Sequence, residues 1–206
     1  MAKLKIYGVP ASRAFRVMWC AKELGLDYDN VAIPPRAAQM PAEYRAVNPG
    51  MKVPALDDGG FVMTESAAIN LYLAKKYGAG KLWPASAEDQ ARAVAWAFWA
   101  MTECEMLGLD IALHRVRLPP EQRVAATANK AEQALAKPLA VLEAQLKAGG
   151  NVLGKDFSVA DLVVASVLFV ITRAPFNWAP FPVVKAWLDK SFARPAAAAA
   201  IKLREP

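Results

Sequence analysis

The feature that most constrains this chain is an abrupt change of pattern near residue 80. Before it, short strand-like runs alternate with amphipathic helical runs; after it, every apolar repeat has helical spacing. Leu4, Ile6 and Tyr7 begin a strand, and Val17, Met18, Ala21 and Leu24 give the next segment one apolar helical face. Gly25 ends that helix and Tyr28 to Ile33 reads as a second strand, so the connection is a βαβ unit with a parallel pair. A short helix from Pro41 to about Val47 follows. Val53 to Leu56 and Phe61 to Met63 form a hairpin around Asp58-Gly59-Gly60, whose glycines reach the positive φ angles of tight turns. Glu65 to Tyr77 closes the unit as a helix with Ile69, Tyr72 and Leu73 inward. The first part is therefore βαβ-ββα, an α/β domain over residues 1–80.

Beyond Gly78-Ala79-Gly80 and Trp83-Pro84 the strand signals stop, and residues 88–206 read as an all-helical domain. Residues 88–115 read as one long helix whose Trp96, Phe98 and Trp99 point in too many directions for a purely solvated surface. From Val124, the positions Ala128, Ala131, Leu135, Leu139, Leu142 and Leu146 step by three or four until Gly149-Gly150 stops the run. Pro138 lies inside it, where proline removes a hydrogen bond at a cost of about 3 kcal/mol, and a kink is expected there. Ser158-Val159-Ala160-Asp161 has the spacing of an N-terminal cap, which makes Asp161 a structural residue.

Composition excludes several classes of function. With 206 residues, 55% of them apolar, the chain can bury a core without staples. Its two cysteines, Cys20 and Cys104, and its single His114 form no disulfide or zinc pattern, so no metal is expected. The net charge of +6 is spread evenly rather than gathered in an arm, which argues against a nucleic-acid partner and leaves small anions open. Leu162 to Ile171 is shorter than the ~20 residues of a bilayer-spanning helix. The N-terminus lacks the pattern of a secretory signal, and a cytoplasmic protein without a membrane partner is expected.

Two segments carry the most specific information: Asn48-Pro49-Gly50-Met51-Lys52-Val53-Pro54-Ala55-Leu56, and Glu65-Ser66-Ala67-Ala68-Ile69 downstream. Together they resemble the thiol-binding half of cytosolic glutathione transferases. The resemblance extends over essentially the whole chain and implies a thioredoxin-like glutathione-binding domain followed by an all-helical domain that contributes the electrophile site. It further implies a cis Val53-Pro54 peptide, with the Val53 main chain paired to the cysteinyl backbone of glutathione. Ser66 would hold the γ-glutamyl carboxylate and Glu65 its ammonium, while Lys52 and Gln39, with Arg36 as a weaker candidate, would approach the glycyl end. Read without the family, Pro54 is more simply an ordinary strand-edge proline and Glu65-Ser66 a helix cap, while Lys52 is equally a solvated side chain.

The segment Tyr7-Gly8-Val9-Pro10-Ala11-Ser12-Arg13-Ala14-Phe15-Arg16 resembles the serine-type branch of that family, with phi and theta-like members. On that match Ser12 is the catalytic residue, stabilising the glutathione thiolate by donating a hydrogen bond. Tyr7 is the rival, because tyrosine-type classes place their phenol at the end of the same strand; its alternative role is a core aromatic. Cys20, two turns into the helix, reads as a buried thiol rather than an active cysteine. The implied activity is addition of glutathione, as co-substrate, to small hydrophobic electrophiles in detoxification, by a homodimer. A glutathione-dependent peroxidase, dehalogenase or isomerase, or a non-catalytic transferase-like binding protein, remains open. The electrophile pocket is expected between the two domains; Phe15, Met106, Leu107 and His114 are candidate linings, although such residues more often serve packing and a lone histidine at a helix end more often serves as a surface or cap group.

Overall fold

The computed structural model describes residues 4–35 and 40–204. By its contacts the chain forms two compact units, Met1–Trp83 together with Phe192–Pro206, and Pro84–Ser191.

In the first unit, β1 (Leu4–Tyr7) pairs in parallel with β2 (Tyr28–Val31) across the helix α1 (Ala14–Glu23). After α2 (Tyr44–Val47), β3 (Ala55–Asp58) and β4 (Phe61–Thr64) form an antiparallel hairpin, giving the sheet order β2-β1-β3-β4. The register sets Ile6 against Leu56 and Tyr7 against Ala55. The hairpin turn is the pair Gly59 and Gly60, both at positive φ (64° and 97°), in keeping with the Asp58-Gly59-Gly60 signal. β2 stops at Val31 rather than Ile33, although Val9 N–H still reaches the Ile33 carbonyl at 3.2 Å. β3 starts at Ala55 rather than Val53, since Pro54 has no N–H to give to a ladder. Helix α3 (Ser66–Tyr77) lies against α1.

The amphipathic pattern of α1 predicts one buried face, yet every residue from Ala14 to Ala21 is buried. The reason is α9 (Pro195–Lys202), which returns to pack on the side of α1 that would otherwise meet water. Glu23 accepts from Arg194 through both oxygens at 2.7 and 2.8 Å, and Phe192 lies 5.7 Å from Trp19 between ring centres.

The second unit is helical. The rod expected over 88–115 is α4 (Ala87–Trp99), a wider π-type turn (Ala100–Cys104), α5 (Glu105–Ala112) and a second wide turn (Leu113–Arg117). The buried positions Ala93, Ala97, Ala100, Cys104, Gly108 and Ile111 keep steps of three or four across the first wide turn, so one face stays inward, while the second wide turn buries none of its residues. Ala93, Ala97 and Ala100 face inward, Trp96 stacks edge-on against Trp99, and Phe98 is 67% exposed. α6 (Ala125–Gly149) buries the whole expected stripe and runs through Pro138 as one helix, so the proline costs a hydrogen bond at the Ala134 carbonyl without ending the element. α7 (Val159–Thr172) is buried almost all round.

The cap at the start of α7 joins three elements. The Asp161 carboxylate, fully buried, accepts from Val152 N–H (2.8 Å), Ser158 N–H (2.9 Å), the Ser158 hydroxyl (2.9 Å) and, on α8 (Pro182–Phe192), the Trp187 indole (3.2 Å). Ser158 Oγ in turn accepts from Ala160 N–H at 3.2 Å. Removing the carboxylate strands several buried donors at once, each worth about 1–3 kcal/mol. Asp161→Ala is therefore expected to lower the unfolding free energy by at least about 3 kcal/mol in urea titrations, and Asp161→Asn by less.

Candidate active site

The site begins where β1 ends. Gly8 has φ +131°, and a Cβ placed there would lie 2.8 Å from Ala14 Cβ, 3.2 Å from Val53 Cβ and 3.4 Å from Ser12 Oγ. Only glycine allows this approach, which brings the start of α1, the loop before β3 and the Ser12 hydroxyl around one point. Asn30 secures the strand end by donating to the Ile6 and Gly8 carbonyls at 3.0 and 2.8 Å.

Ser12 is half-buried in the turn that leads into α1. Its N–H donates to the Val9 carbonyl at 3.0 Å; its hydroxyl donates to the same carbonyl at 2.7 Å and accepts from Ala14 N–H at 3.1 Å. The bond from Ala14 polarises the hydroxyl and so improves it as a donor, while rotation about Cβ–Oγ is all that redirects its proton. Tyr7 lies elsewhere in character: its ring is 5.8 Å from Tyr44 and packs on the apolar cluster of Ile33, Met40, Tyr44 and Ala55.

The Val53-Pro54 peptide is cis. The loop before it is held by the Lys52 carbonyl, which accepts from Tyr44 Oη at 2.8 Å and Asn48 Nδ2 at 2.7 Å, and by Gly50 N–H donating to Asn48 Oδ1 at 2.9 Å. Among the described residues the main-chain N–H and C=O of Val53 have no hydrogen-bond partner, so an extended peptide can pair with them. Pro54 is buried and the Lys52 side chain exposed. Gln39, with Arg36, lies outside the described residues.

Glu65 has φ +68°, an uncommon value for a residue with a side chain, and it turns the chain so that α3 starts at Ser66 rather than Glu65. Ser66 is buried, and its Oγ accepts from Arg16 Nη1 at 3.4 Å. Arg16 is itself only 6% exposed. A buried guanidinium beside the N-terminus of a three-turn helix makes a strongly electropositive place for a carboxylate. The sequence pattern alone does not single out Arg16, which reads as one more helix residue; the signal it offers is a cation one turn after Ser12 within an apolar run.

Both cysteines are free and buried. Burial pushes the Cys20 thiol far up, with Glu23 adding to the effect, and Cys104 is pushed up to about 12 by burial and the neighbouring Glu103 and Glu105. His114 is a structural group, its Nδ1 accepting from Val124 N–H at 3.1 Å. Phe15 is buried, Leu107 half-buried and Met106 exposed. Among the described residues no group of three or more His, Cys, Asp or Glu is placed to hold a metal ion, and no helix is long and apolar enough to cross a membrane.

α3 is tied to the hairpin by Asp58, whose carboxylate accepts from Tyr72 (2.8 Å), Lys76 (2.7 Å) and Tyr77 (2.8 Å). Burial pushes the Asp58 carboxyl up, but the bonds from Lys76, Tyr72 and Tyr77 outweigh it and hold the group below the usual carboxylate range.

The chain matches the family models "Glutathione S-transferase, N-terminal domain" over residues 2–75 and "Glutathione S-transferase, C-terminal domain" over residues 106–195. It is 36% identical to glutathione S-transferase 3 of Zea mays over 223 aligned positions that span 100% of this chain and 98% of that protein. Among solved structures, the theta class glutathione S-transferase of Xanthomonas axonopodis pv. citri with glutathione bound superposes with a TM-score of 0.89 at 28% identity, covering 98% of both chains. Glutathione S-transferase I from maize, in complex with an atrazine glutathione conjugate, gives a TM-score of 0.88 at 28% identity over 100% of this chain and 99% of that one.

The depressed Asp58 titration gives a pH test. A carboxyl held low in the fold contributes stability that is complete above its unfolded value and is lost as pH falls through the folded one. Asp58→Asn should cost about 1 kcal/mol at pH 7, with the gap to the parent shrinking below about pH 4 in urea titrations.

Proposed function

The chain belongs to the glutathione S-transferase family, and on that premise we propose that it binds glutathione along Val53 and transfers its sulfur to small hydrophobic electrophiles, with Ser12 as the thiol-activating residue. The observation that carries this reading is the convergence at Gly8, where Ser12 Oγ and Val53 Cβ both come within 3.4 Å of one point, beside a Val53 main chain that is unpaired among the described residues. Residues 1–80 supply the glutathione site, and residues 88–206 supply the binding residues for the electrophile.

Pairing of the cysteinyl N–H and C=O with Val53 brings the sulfur toward Ser12. The γ-glutamyl carboxylate meets the N-terminus of α3, Ser66 and the buried Arg16, and Glu65 accepts from the γ-glutamyl ammonium. Lys52 and Gln39 serve the glycyl carboxylate. A cysteine thiol titrates near about 8.5, so only a few per cent of free glutathione is thiolate at neutral pH. The Ser12 hydroxyl turns its proton from the Val9 carbonyl to the sulfur while still accepting from Ala14, and the N-terminus of α1 adds positive potential. A fall of about two in the thiol pKa corresponds to roughly 2.7 kcal/mol and makes thiolate the main form. The thiolate then attacks an electrophilic carbon, forming a C–S bond as the leaving group departs with its electron pair. Ser12 gives up no electrons and forms no covalent bond.

The protein is read as cytoplasmic and as a homodimer, on the same family premise. Peroxide reduction, dehalogenation and isomerisation use the same thiolate, and a panel of aryl halides, hydroperoxides and haloacids separates them.

Ser12→Ala is expected to return the pKa of bound glutathione to within about half of a unit of the free value and to cut kcat with an aryl chloride about a hundredfold at pH 6.5, with KM for glutathione changed less than about threefold. Ser66→Ala should do the opposite, raising that KM about tenfold while kcat persists. An unaltered thiolate titration in Ser12→Ala removes Ser12 from the role; Tyr7→Phe is then the variant to titrate.

A further inference from the structure

We propose that Arg204 is a positioning residue for thiol activation: its guanidinium gathers the carbonyls of Pro10, Ala11 and Ser12 and so fixes the loop that aims the Ser12 hydroxyl. The inference rests on the assignment of Ser12 above and deepens it.

Arg204 follows the last turn of α9, its N–H bonded to the Ile201 carbonyl at 2.9 Å. Its Nη1 donates to the carbonyls of Pro10 and Ser12, the latter at 3.3 Å, and its Nη2 donates to the Ala11 carbonyl at 3.3 Å. The guanidinium carbon lies 5.1 Å from the centre of the buried Phe15 ring, which packs on one face of the group. Three successive main-chain carbonyls thus turn toward one cation. A planar group with five donors suits that convergence, whereas an ammonium offers three tetrahedral donors and cannot span it.

The architecture makes the contact a strut. At one end of α9, Arg194 pairs with Glu23 at the close of α1; at the other end, Arg204 reaches the loop that opens α1. The two anchors hold α9 along α1, and the spacing fixes where the second guanidinium falls. Ser12 is consequently held on both sides, by its N–H on the Val9 carbonyl and by its own carbonyl on Arg204. The main chain that carries Oγ is thereby fixed, which narrows the directions from which the hydroxyl can donate to a thiolate. The same guanidinium leaves a full positive charge close to the residue that meets the sulfur.

The test uses the full chain with Arg204→Met, which keeps the aliphatic stem on Phe15, and Arg204→Lys, which keeps the charge. Folding is checked by circular dichroism and thermal melting. The thiolate absorbance of bound glutathione is titrated, and kcat and KM for glutathione are measured with an aryl chloride. Arg204→Met is expected to lower kcat about tenfold with KM within about twofold and to raise the bound thiol pKa by about one; Arg204→Lys recovers less than half of that loss on a logarithmic scale. A folded Arg204→Met with parental kcat and thiol pKa, or with a raised KM alone, overturns the proposal, as does an Arg204→Lys of full parental rate. Should Arg204→Met not fold, Arg204→Lys decides. A parent protein with no bound-thiolate band overturns the functional reading and this inference together, whereas a normal parental band left unaltered in Arg204→Met overturns this inference only.

Discussion

The close approach at Gly8 is the constraint on which the rest depends. With a Cβ at this position 2.8 Å from Ala14 Cβ and a φ of +131°, any other residue would push the start of α1 away from the sheet. That displacement would move Ser12 relative to Val53, because both lie within 3.4 Å of this point. The surrounding structure keeps the approach rigid: Asn30 bonds the carbonyls on either side of Tyr7, and Tyr44 with Asn48 holds the Lys52 carbonyl one residue before Val53. The scaffold therefore presents a hydroxyl and an unpaired strand edge together, and it uses backbone geometry rather than a reactive side chain to do so.

Electrostatics completes the arrangement. The Ser66 end of α3 and the loop opening α1 both direct helix N-termini toward the site, and each is accompanied by an arginine, Arg16 beside Ser66 and Arg204 around residues 10–12. Such a distribution favours anions in two places, a carboxylate at one and a thiolate at the other. The protein's own thiols are buried, and burial pushes both of them up. The reactive sulfur in this account belongs to the bound tripeptide.

Much of this architecture is legible in the amino-acid pattern. Period-two and period-3.6 spacings, with the Asp58-Gly59-Gly60 turn, locate the four strands of the described residues and the helices around them, because apolar spacing follows directly from which face is buried. The cap at Ser158 and Asp161 is legible for a related reason, being a local hydrogen-bond pattern with fixed spacing. What the pattern hides is long-range. The burial of α1 on all sides depends on α9, 171 positions away at the Glu23–Arg194 pair, and no local window contains both. Arg16 reads as one more helix residue until Ser66 is seen beside it, and Arg204 has no pattern at all. The wide turns at Ala100–Cys104 and Leu113–Arg117 leave no mark on the pattern, because the buried positions keep helical spacing across the first and the second buries none of its residues.

A crystal structure of the protein with bound glutathione tests the central claim most directly. The account predicts the cysteinyl main chain paired with Val53 N–H and C=O and the sulfur within about 3.5 Å of Ser12 Oγ, whose proton has left the Val9 carbonyl. Glutathione bound with its sulfur on Tyr7 Oη, or away from Val53 altogether, contradicts it.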